Sequence, residues 1–246
     1  MGHRACFEFG ERNLVDHDIR EKDILEVGAS IDGGSMRPYI ESFFPRKYVG
    51  IDIQLAPGVD EICDVHELIE RFGRESFDVV IANELMEHVR DWRKVIRNLK
   101  GVLRNDGVVI LTTRSYGFPF HLAPFDFWRF EISDMQAIFS DFTVLAIEPD
   151  PSFRGDGRPM HGVFVAVRKR QGMGETDLDL LDMFSIIKGK RVHEIRDLDI
   201  YWYELHQLGW PYLMKFRGIP FLTREFLRKS LPTPVRRIVK RFIRAS

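Results

Sequence analysis

Cysteine is nearly absent from this sequence: 246 residues hold two, Cys6 and Cys63. Two cysteines cannot make a disulfide scaffold, and such low usage suits a reducing cytosol. Long apolar runs are missing too. None approaches the roughly 18 residues of a membrane-spanning helix, and the opening MGHRACFEFGERN lacks the apolar core of a signal peptide. Charge of one sign is not in excess overall. The 36 Lys+Arg against 37 Asp+Glu leave −1, which argues against a generally polybasic nucleic-acid binder. There is no zinc-type Cys/His spacing, so no metal site is expected. Internal repeats and low-complexity tracts are lacking as well. What is present is ordinary for a soluble globular protein: 44% hydrophobic and 30% charged residues, enough for one domain with an appendage.

Between about residues 22 and 168 strand-like and helix-like segments alternate. Short β-branched runs at 23–28, 48–53, 77–83 and 107–113 read as buried parallel strands. Trp92, Val95, Ile96, Leu99, Val102 and Leu103 fall on one face of a helix. Asn105-Asp106-Gly107 should stop it, and Ser133 with Gln136 should cap another. Two late strands, 142–148 and 162–168, follow in succession. The pattern predicts an α/β sandwich with a mostly parallel sheet. After residue 170 it changes: a linker at 171–174, helical stretches around 177–187 and 197–208, then segments broken by prolines. The expected division is 1–170 and a helical extension, 171–246.

Open α/β sheets bind ligands outside the carboxyl ends of their strands. The first strand ends in Glu26, Val27 and Gly28, where the missing Cβ lets a turn approach a ligand. The second ends in Asp52, able to accept from both hydroxyls of a ribose. Asp64 could accept from an adenine amino group, and Asn83 ends the central strand. A dinucleotide would need G-x-G-x-x-G to seat its pyrophosphate. Here the later glycines are displaced to Gly33 and Gly34, and the acid Asp32 would repel phosphate. S-adenosylmethionine has no phosphate and carries a positive sulfonium, so the residues lean toward it.

In order along 22–168, LEVGAS, YVGIDI, CDVHEL, FDVVIANELMEHV and VLRNDGVVILTT resemble the motifs of class I S-adenosylmethionine-dependent methyltransferases. GFPFHLAPFDFWRFEISDM resembles a segment of methyltransferases encoded among surface-polysaccharide genes. Ser30 and Asp32 depart from the family's glycine-rich loop. The resemblance implies a Rossmann-like, mostly parallel seven-stranded sheet with helices on both faces. It also implies that Glu26, Gly28 and Ala29 line the methionine end of the cofactor and Asp52 binds the ribose. Ile53 would pack on the adenine, Asp64 and the Val65 N–H would bind its edge, and Asn83 and Glu84 would stand near the sulfonium and acceptor.

Methyl transfer is an in-line displacement, so an enzyme mainly aligns the nucleophile and excludes water. Related amino-group methylases carry Asn/Asp-Pro-Pro-aromatic after the fourth strand. Asn83-Glu84-Leu85-Met86 departs from that and favours an oxygen or carbon acceptor. An alcohol also needs a base, for which His121 is the first candidate and His88 the second. Around His121 lie Phe118, Phe120, Phe125, Asp126, Phe127, Trp128, Arg129 and Phe130. Phe120, Asp126 and Trp128 are expected to contact a sugar acceptor, and Arg129 a carboxylate or lipid-linked phosphate. The same cluster could instead be core beneath a loop, with Arg129 paired to a neighbour.

Residues 221–246 carry eight basic side chains and one acid, +7, against −8 for the rest. Val235, Ile238, Val239, Phe242 and Ile243 make one apolar face of a basic amphipathic helix, as in membrane-surface segments. Residues 235–245 would therefore touch a membrane peripherally, at the inner face of a cytoplasmic location, unless the stripe docks on its own chain. Nucleic acid is disfavoured, since no aromatic stacking platform accompanies the charge. The leading expectation is an O-methyltransferase for a sugar of a surface glycan or its lipid-linked precursor. A lipid or quinone methyltransferase, and a non-catalytic cofactor-binding partner of a glycosyltransferase, stand as alternatives.

Overall fold

The computed structural model describes residues 4–30, 35–120, 125–155, 157–172, 176–187, 190–191, 195–204 and 207. The chain forms two compact units, 1–196 and 197–246. In the second, residues 197–204 are helical.

Among its described residues the first unit contains ten strands: β1 (Asp23–Val27), β2 (Lys47–Asp52), β3 (Glu61–Ile62), β4 (Phe77–Asn83), β5 (Leu103–Arg114), β6 (Trp128–Arg129), β7 (Phe142–Pro149), β8 (Gly162–Lys169), β9 (Phe184–Ser185) and β10 (Lys190–Arg191). Its helices are α1 (Arg4–Asn13), α2 (Asp16–Ile19), α3 (Arg37–Glu41), α4 (Leu68–Phe72), α5 (Trp92–Val102) and α6 (Ile132–Ile138). Seven strands form one sheet in the order β3-β2-β1-β4-β5-β8-β7, and β8 alone runs against the others. Val27 pairs with Ile51 on one side and Ala82 on the other. Gly28, Asp52 and Asn83, each one residue further on, therefore stand side by side at one end of the sheet. The chain reverses its direction of travel across the sheet between β1 and β4, and that switch point is where open α/β sheets leave a crevice.

Alternation explains the layers. Ile24, Val79, Ile81, Val108, Ile110, Phe164 and Ala166 pack with Cys6 and Phe9 of α1, Ile19 of α2 and Ile40 of α3. The intervening residues Leu25, Val27, Val80, Ala82, Val109, Leu111, Val165 and Val167 are equally buried, so they face the other way. There α5 presents Trp92, Val95, Ile96, Leu99 and Val102 of its predicted apolar stripe, all buried, while Leu103, the last predicted member, instead opens β5; α4 packs beside α5. Lys100 of α5 is buried as well. Its Nζ donates to Asp141 Oδ1 and to the Ile138 carbonyl, both at 2.6 Å, between the rings of Phe139 and Phe142.

Three local expectations are corrected. Asn105-Asp106-Gly107 does not separate helix from strand, because β5 begins at Leu103 directly after α5. Asp106 takes a positive φ of 65°, and the β4–β5 register slips between Phe77 and Val79. Gly107 is required there, since a Cβ would lie 2.7 Å from the Asp78 carbonyl oxygen. Helix α6 is capped by Glu131, not Ser133: the Glu131 N–H donates to the Asp134 carboxylate at 2.7 Å. Residues 177–187 are not helical. A 3-10 turn at Leu178–Leu180 leads to β9, which pairs with β6 and β10 in a second small sheet. Arg93 takes the carbonyls of Leu178 and Leu181, both at 2.9 Å, which holds this segment extended across α5.

Candidate functional site

The turn after β1 is built for close approach. Gly28 has φ 75°, and the N–H groups of Gly28 and Ala29 both donate to the Ile51 carbonyl, at 2.9 and 3.0 Å. A Cβ on Gly28 would meet nothing within 4 Å among the described residues, which leave the space beyond it open. Gly50 lets this turn lie on β2; a Cβ there would stand 2.6 Å from Gly58 O and 2.7 Å from Ala29 Cβ. Glu26 is buried, and its carboxylate accepts from the Met36 N–H at 2.8 Å, from Ser35 Oγ at 2.5 Å and from the Tyr48 hydroxyl. Burial pushes its pKa above the usual range. Glu26 thus ties residues 35–36 to β2, and its carboxylate is occupied by these three donors.

Asp52, at the tip of β2, receives one weak hydrogen bond among the described residues, from the Gln54 N–H at 3.2 Å. Ile53 beside it is 50% exposed, ready to offer an apolar face. Asp64 precedes a 3-10 turn, Val65–Glu67, and accepts from the N–H and ring Nδ1 of His66 at 2.9 and 2.6 Å. Partial burial raises the Asp64 pKa, but these His66 contacts outweigh it and hold the group below its ordinary value. Val65 is buried, and its carbonyl accepts from Asn98 Nδ2 at 3.0 Å. Asn83 ends β4, with Oδ1 3.4 Å from the Thr112 hydroxyl. Its buried Nδ2 has no hydrogen-bond partner among the described residues. An orphaned donor beside the open space at Gly28, with two carboxylates and an exposed isoleucine along the same rim, fits an adenosyl cofactor.

Beyond Asn83 the site becomes a buried charge network. Glu84 has φ 51° and donates its N–H to the Thr112 carbonyl and hydroxyl at 2.9 and 3.0 Å. Its carboxylate pairs with Arg114, which also reaches Asp150 Oδ2 at 3.1 Å. One guanidinium therefore faces two carboxylates. Burial, reinforced by the charge of Glu87 and opposed by Arg114, pushes the Glu84 pKa up to about 8. Glu87 is fully buried and accepts from the Thr113 hydroxyl at 2.9 Å. His88 Nδ1 bonds the Phe125 carbonyl, and Nε2 lies 3.7 Å from Glu87 Oε1.

The aromatic loop divides into two sets. Asp126, Phe127, Trp128, Arg129 and Phe130 are buried. Trp128 Nε1 donates to the Val89 carbonyl at 2.8 Å, and Arg129 pairs with Asp126 at 2.5 and 2.8 Å. The guanidinium of Arg129 is thus turned inward, correcting the expectation that it meets an anionic acceptor; Asp126 and Trp128 likewise serve the loop's own packing. Phe120 and Tyr116, in the loop after β5, are 50% and 67% exposed, the Tyr116 ring standing edge-on to Phe184; Phe153, between β7 and β8, is 70% exposed. His121 lies outside the described residues. His161, which the sequence did not single out, lies near this loop: it has φ 42°, its backbone carbonyl accepts from the Ser115 N–H at 3.1 Å, and its ring lies against Gly117. The available signal was its place just before β8, the one strand that starts where the others end.

A family profile described as "Methyltransferase domain" matches residues 2–144. The chain belongs to the methyltransferase-domain family. This methyltransferase also resembles solved structures at low identity, which supports the fold. A Burkholderia thailandensis 1,6-didemethyltoxoflavin-N1-methyltransferase, solved with its substrate and S-adenosylhomocysteine, is 18% identical; the match covers 68% of this chain and 79% of that one, with TM-score 0.53. A Methanosarcina mazei S-adenosylmethionine-dependent methyltransferase is 13% identical over 65% of this chain and 96% of that one, TM-score 0.50. Haemonchus contortus phosphoethanolamine N-methyltransferase 2, in complex with S-adenosylmethionine, is 15% identical over 68% and 52%, TM-score 0.50. No curated protein matches the methyltransferase. Among the described residues no helix is long and apolar enough to cross a membrane, and no three His, Cys, Asp or Glu gather as metal ligands.

Proposed function

We propose that this methyltransferase transfers the methyl group of S-adenosylmethionine to a hydroxyl of a sugar, in a surface glycan or its lipid-linked precursor. The carrying observation is the row Gly28, Asp52 and Asn83 at the sheet's switch point; the exposed rings of Tyr116, Phe120 and Phe153 are the candidates for an acceptor's surface. Asp52 would take the ribose hydroxyls, Ile53 the adenine face, Asp64 and the Val65 N–H its edge, and Gly28, Ala29 and Asn83 the methionine end. When bound, the cofactor supplies a methyl group on a sulfonium, already activated toward displacement. The chain then has to hold an acceptor oxygen in line, keep water out and take up a proton. His121 is the proposed base and His88 the second candidate, its Nε2 left as the basic nitrogen if Nδ1 donates to Phe125. Exposed aromatic faces suit the C–H surfaces of a sugar ring, which supports the acceptor class.

The test compares glycans and lipid-linked sugars from cells with and without the protein by mass spectrometry. A species heavier by one CH₂ that vanishes with the protein, and with Asp52→Ala, is expected. Asp52→Ala should also weaken S-adenosylmethionine binding at least about tenfold in calorimetry, the value of one or two charge-assisted hydrogen bonds. Equal binding by variant and wild type would overturn the ribose assignment, and methylation confined to nitrogen acceptors would overturn the acceptor class.

A further inference from the structure

Asp64 is held in an unusual way. Both hydrogen bonds it accepts fall on one oxygen, Oδ1, and both come from His66, through the backbone N–H at 2.9 Å and ring Nδ1 at 2.6 Å. The far ring nitrogen, Nε2, accepts from the Asp91 N–H at 3.3 Å. Asp91 in turn caps α5 through the Lys94 N–H at 3.0 Å. A neutral imidazole satisfies both neighbours in only one tautomer, with its proton on Nδ1. The ring is 22% exposed and the Asp64 side chain 51%, so the histidine is the enclosed member and the acid the open one. None of these hydrogen bonds uses Oδ2.

We propose that His66 is a positioning residue for cofactor selectivity: its Nδ1–H, braced by the α5 N-terminus, fixes the Asp64 carboxylate and leaves Oδ2 as the acceptor for the amino group of a 6-aminopurine. The inference rests on the reading of Asp64 as the adenine-contacting acid. A carboxylate held only by a backbone N–H rotates about its last torsion, and ordering it on binding would cost affinity. With the histidine in place, that ordering is done in advance. A 6-oxopurine offers a carbonyl where adenine offers an amino group, and a fixed carboxylate facing a carbonyl is repelled and left unpaired.

Calorimetry on the full chain with S-adenosylhomocysteine and S-inosylhomocysteine reads this contact. Wild type is expected to prefer the adenosyl ligand by about tenfold or more, from one charge-assisted hydrogen bond gained and one repulsion avoided. His66→Ala should narrow that ratio several-fold, chiefly by weakening the adenosyl ligand. His66→Asn, whose amide N–H can occupy the place of Nδ1–H, should restore it. Should His66→Ala fail to fold, His66→Gln carries the comparison, because its longer amide keeps the Asp91 contact and loses that to Asp64. Asp64→Ala should narrow the preference at least as far as His66→Ala does, leaving only what the Val65 N–H contributes by facing N1 of adenine rather than N1–H of the 6-oxopurine. If Asp64→Ala keeps the wild-type ratio, the adenine reading of Asp64 fails and the inference with it. If Asp64→Ala narrows the preference while His66→Ala keeps the wild-type ratio, or weakens both ligands equally, the positioning role alone is overturned.

Discussion

At the tip of β4, Glu84 holds a left-handed backbone although it is not glycine, a conformation that costs of order 1 kcal/mol or more unless its surroundings enforce it. Thr112 enforces it by taking the Glu84 N–H on two oxygens. The side chain then has nowhere to go but the interior, where Arg114 divides its charge between Glu84 and Asp150. The result is an acid titrating near 8 in the folded chain and near 4.5 when free. The folded state therefore binds its proton more tightly than the unfolded one. This contribution to stability is complete below about pH 4.5 and is lost as pH rises through about 8. Melting temperatures of wild type and Glu84→Gln, measured across that window, should diverge, with wild type losing stability relative to the variant as pH increases. Parallel curves would show that Glu84 is ionised throughout.

Among the elements, the docking of α5 and α6 offers the clearest energetic test. Lys100 and Asp141 are both buried, and the acid also accepts from the Thr176 hydroxyl at 2.9 Å. Removing one partner of a buried ion pair strands the other and costs about 3–5 kcal/mol, whereas replacing both with apolar groups can be close to neutral. Urea unfolding should therefore find Lys100→Met strongly destabilised and Lys100→Met/Asp141→Leu largely recovered. Equal loss in both would mean that the pair itself carries the stability. The contrast between legible and hidden elements has the same physical root. The central strands and the stripe of α5 could be read from sequence because burial on both faces demands β-branched runs and a helix demands its spacing. Helix α1 gave no such signal: it buries Cys6, Phe9 and Gly10 out of ten residues. Asn105-Asp106-Gly107 read as a stop because sequence cannot show that Gly107 is squeezed against the Asp78 carbonyl. The stretch 177–187 read as helix because the Arg93 bonds that hold it extended come from far along the chain. Asp52 and Asn83 stand at the ends of β2 and β4, where the strand runs in the sequence put them, whereas the 3-10 turn that Asp64 caps had no sequence signal of its own. For Arg129 the sequence left two readings open, an anionic acceptor or a neighbouring acid, and its contacts of 2.5 and 2.8 Å with Asp126 decide for the second.

For the whole molecule, the near-zero net charge conceals a division that bears on where the enzyme works. Residues 1–220 carry −8 and residues 221–246 carry +7. An acidic catalytic body would be repelled by an anionic membrane, so a lipid-linked acceptor requires some other part of the chain to reach the surface. The basic segment, which lies outside the described residues, has the composition for that task. Each basic residue near an anionic surface contributes about 1 kcal/mol, and the apolar stripe at 235–243 would add burial in the interface. Flotation with vesicles containing phosphatidylglycerol should therefore carry the full chain upward and leave a chain lacking 221–246 at the bottom. Neutral phosphatidylcholine vesicles should bind neither. Raising salt to roughly 0.5 M, where the Debye length is about 4 Å, should release most of the full chain, since the attraction begins as a screened Coulomb force. Flotation that survives deletion of the segment would place the membrane contact elsewhere. Failure of the full chain to float would leave the sugar acceptor in its free, water-soluble form.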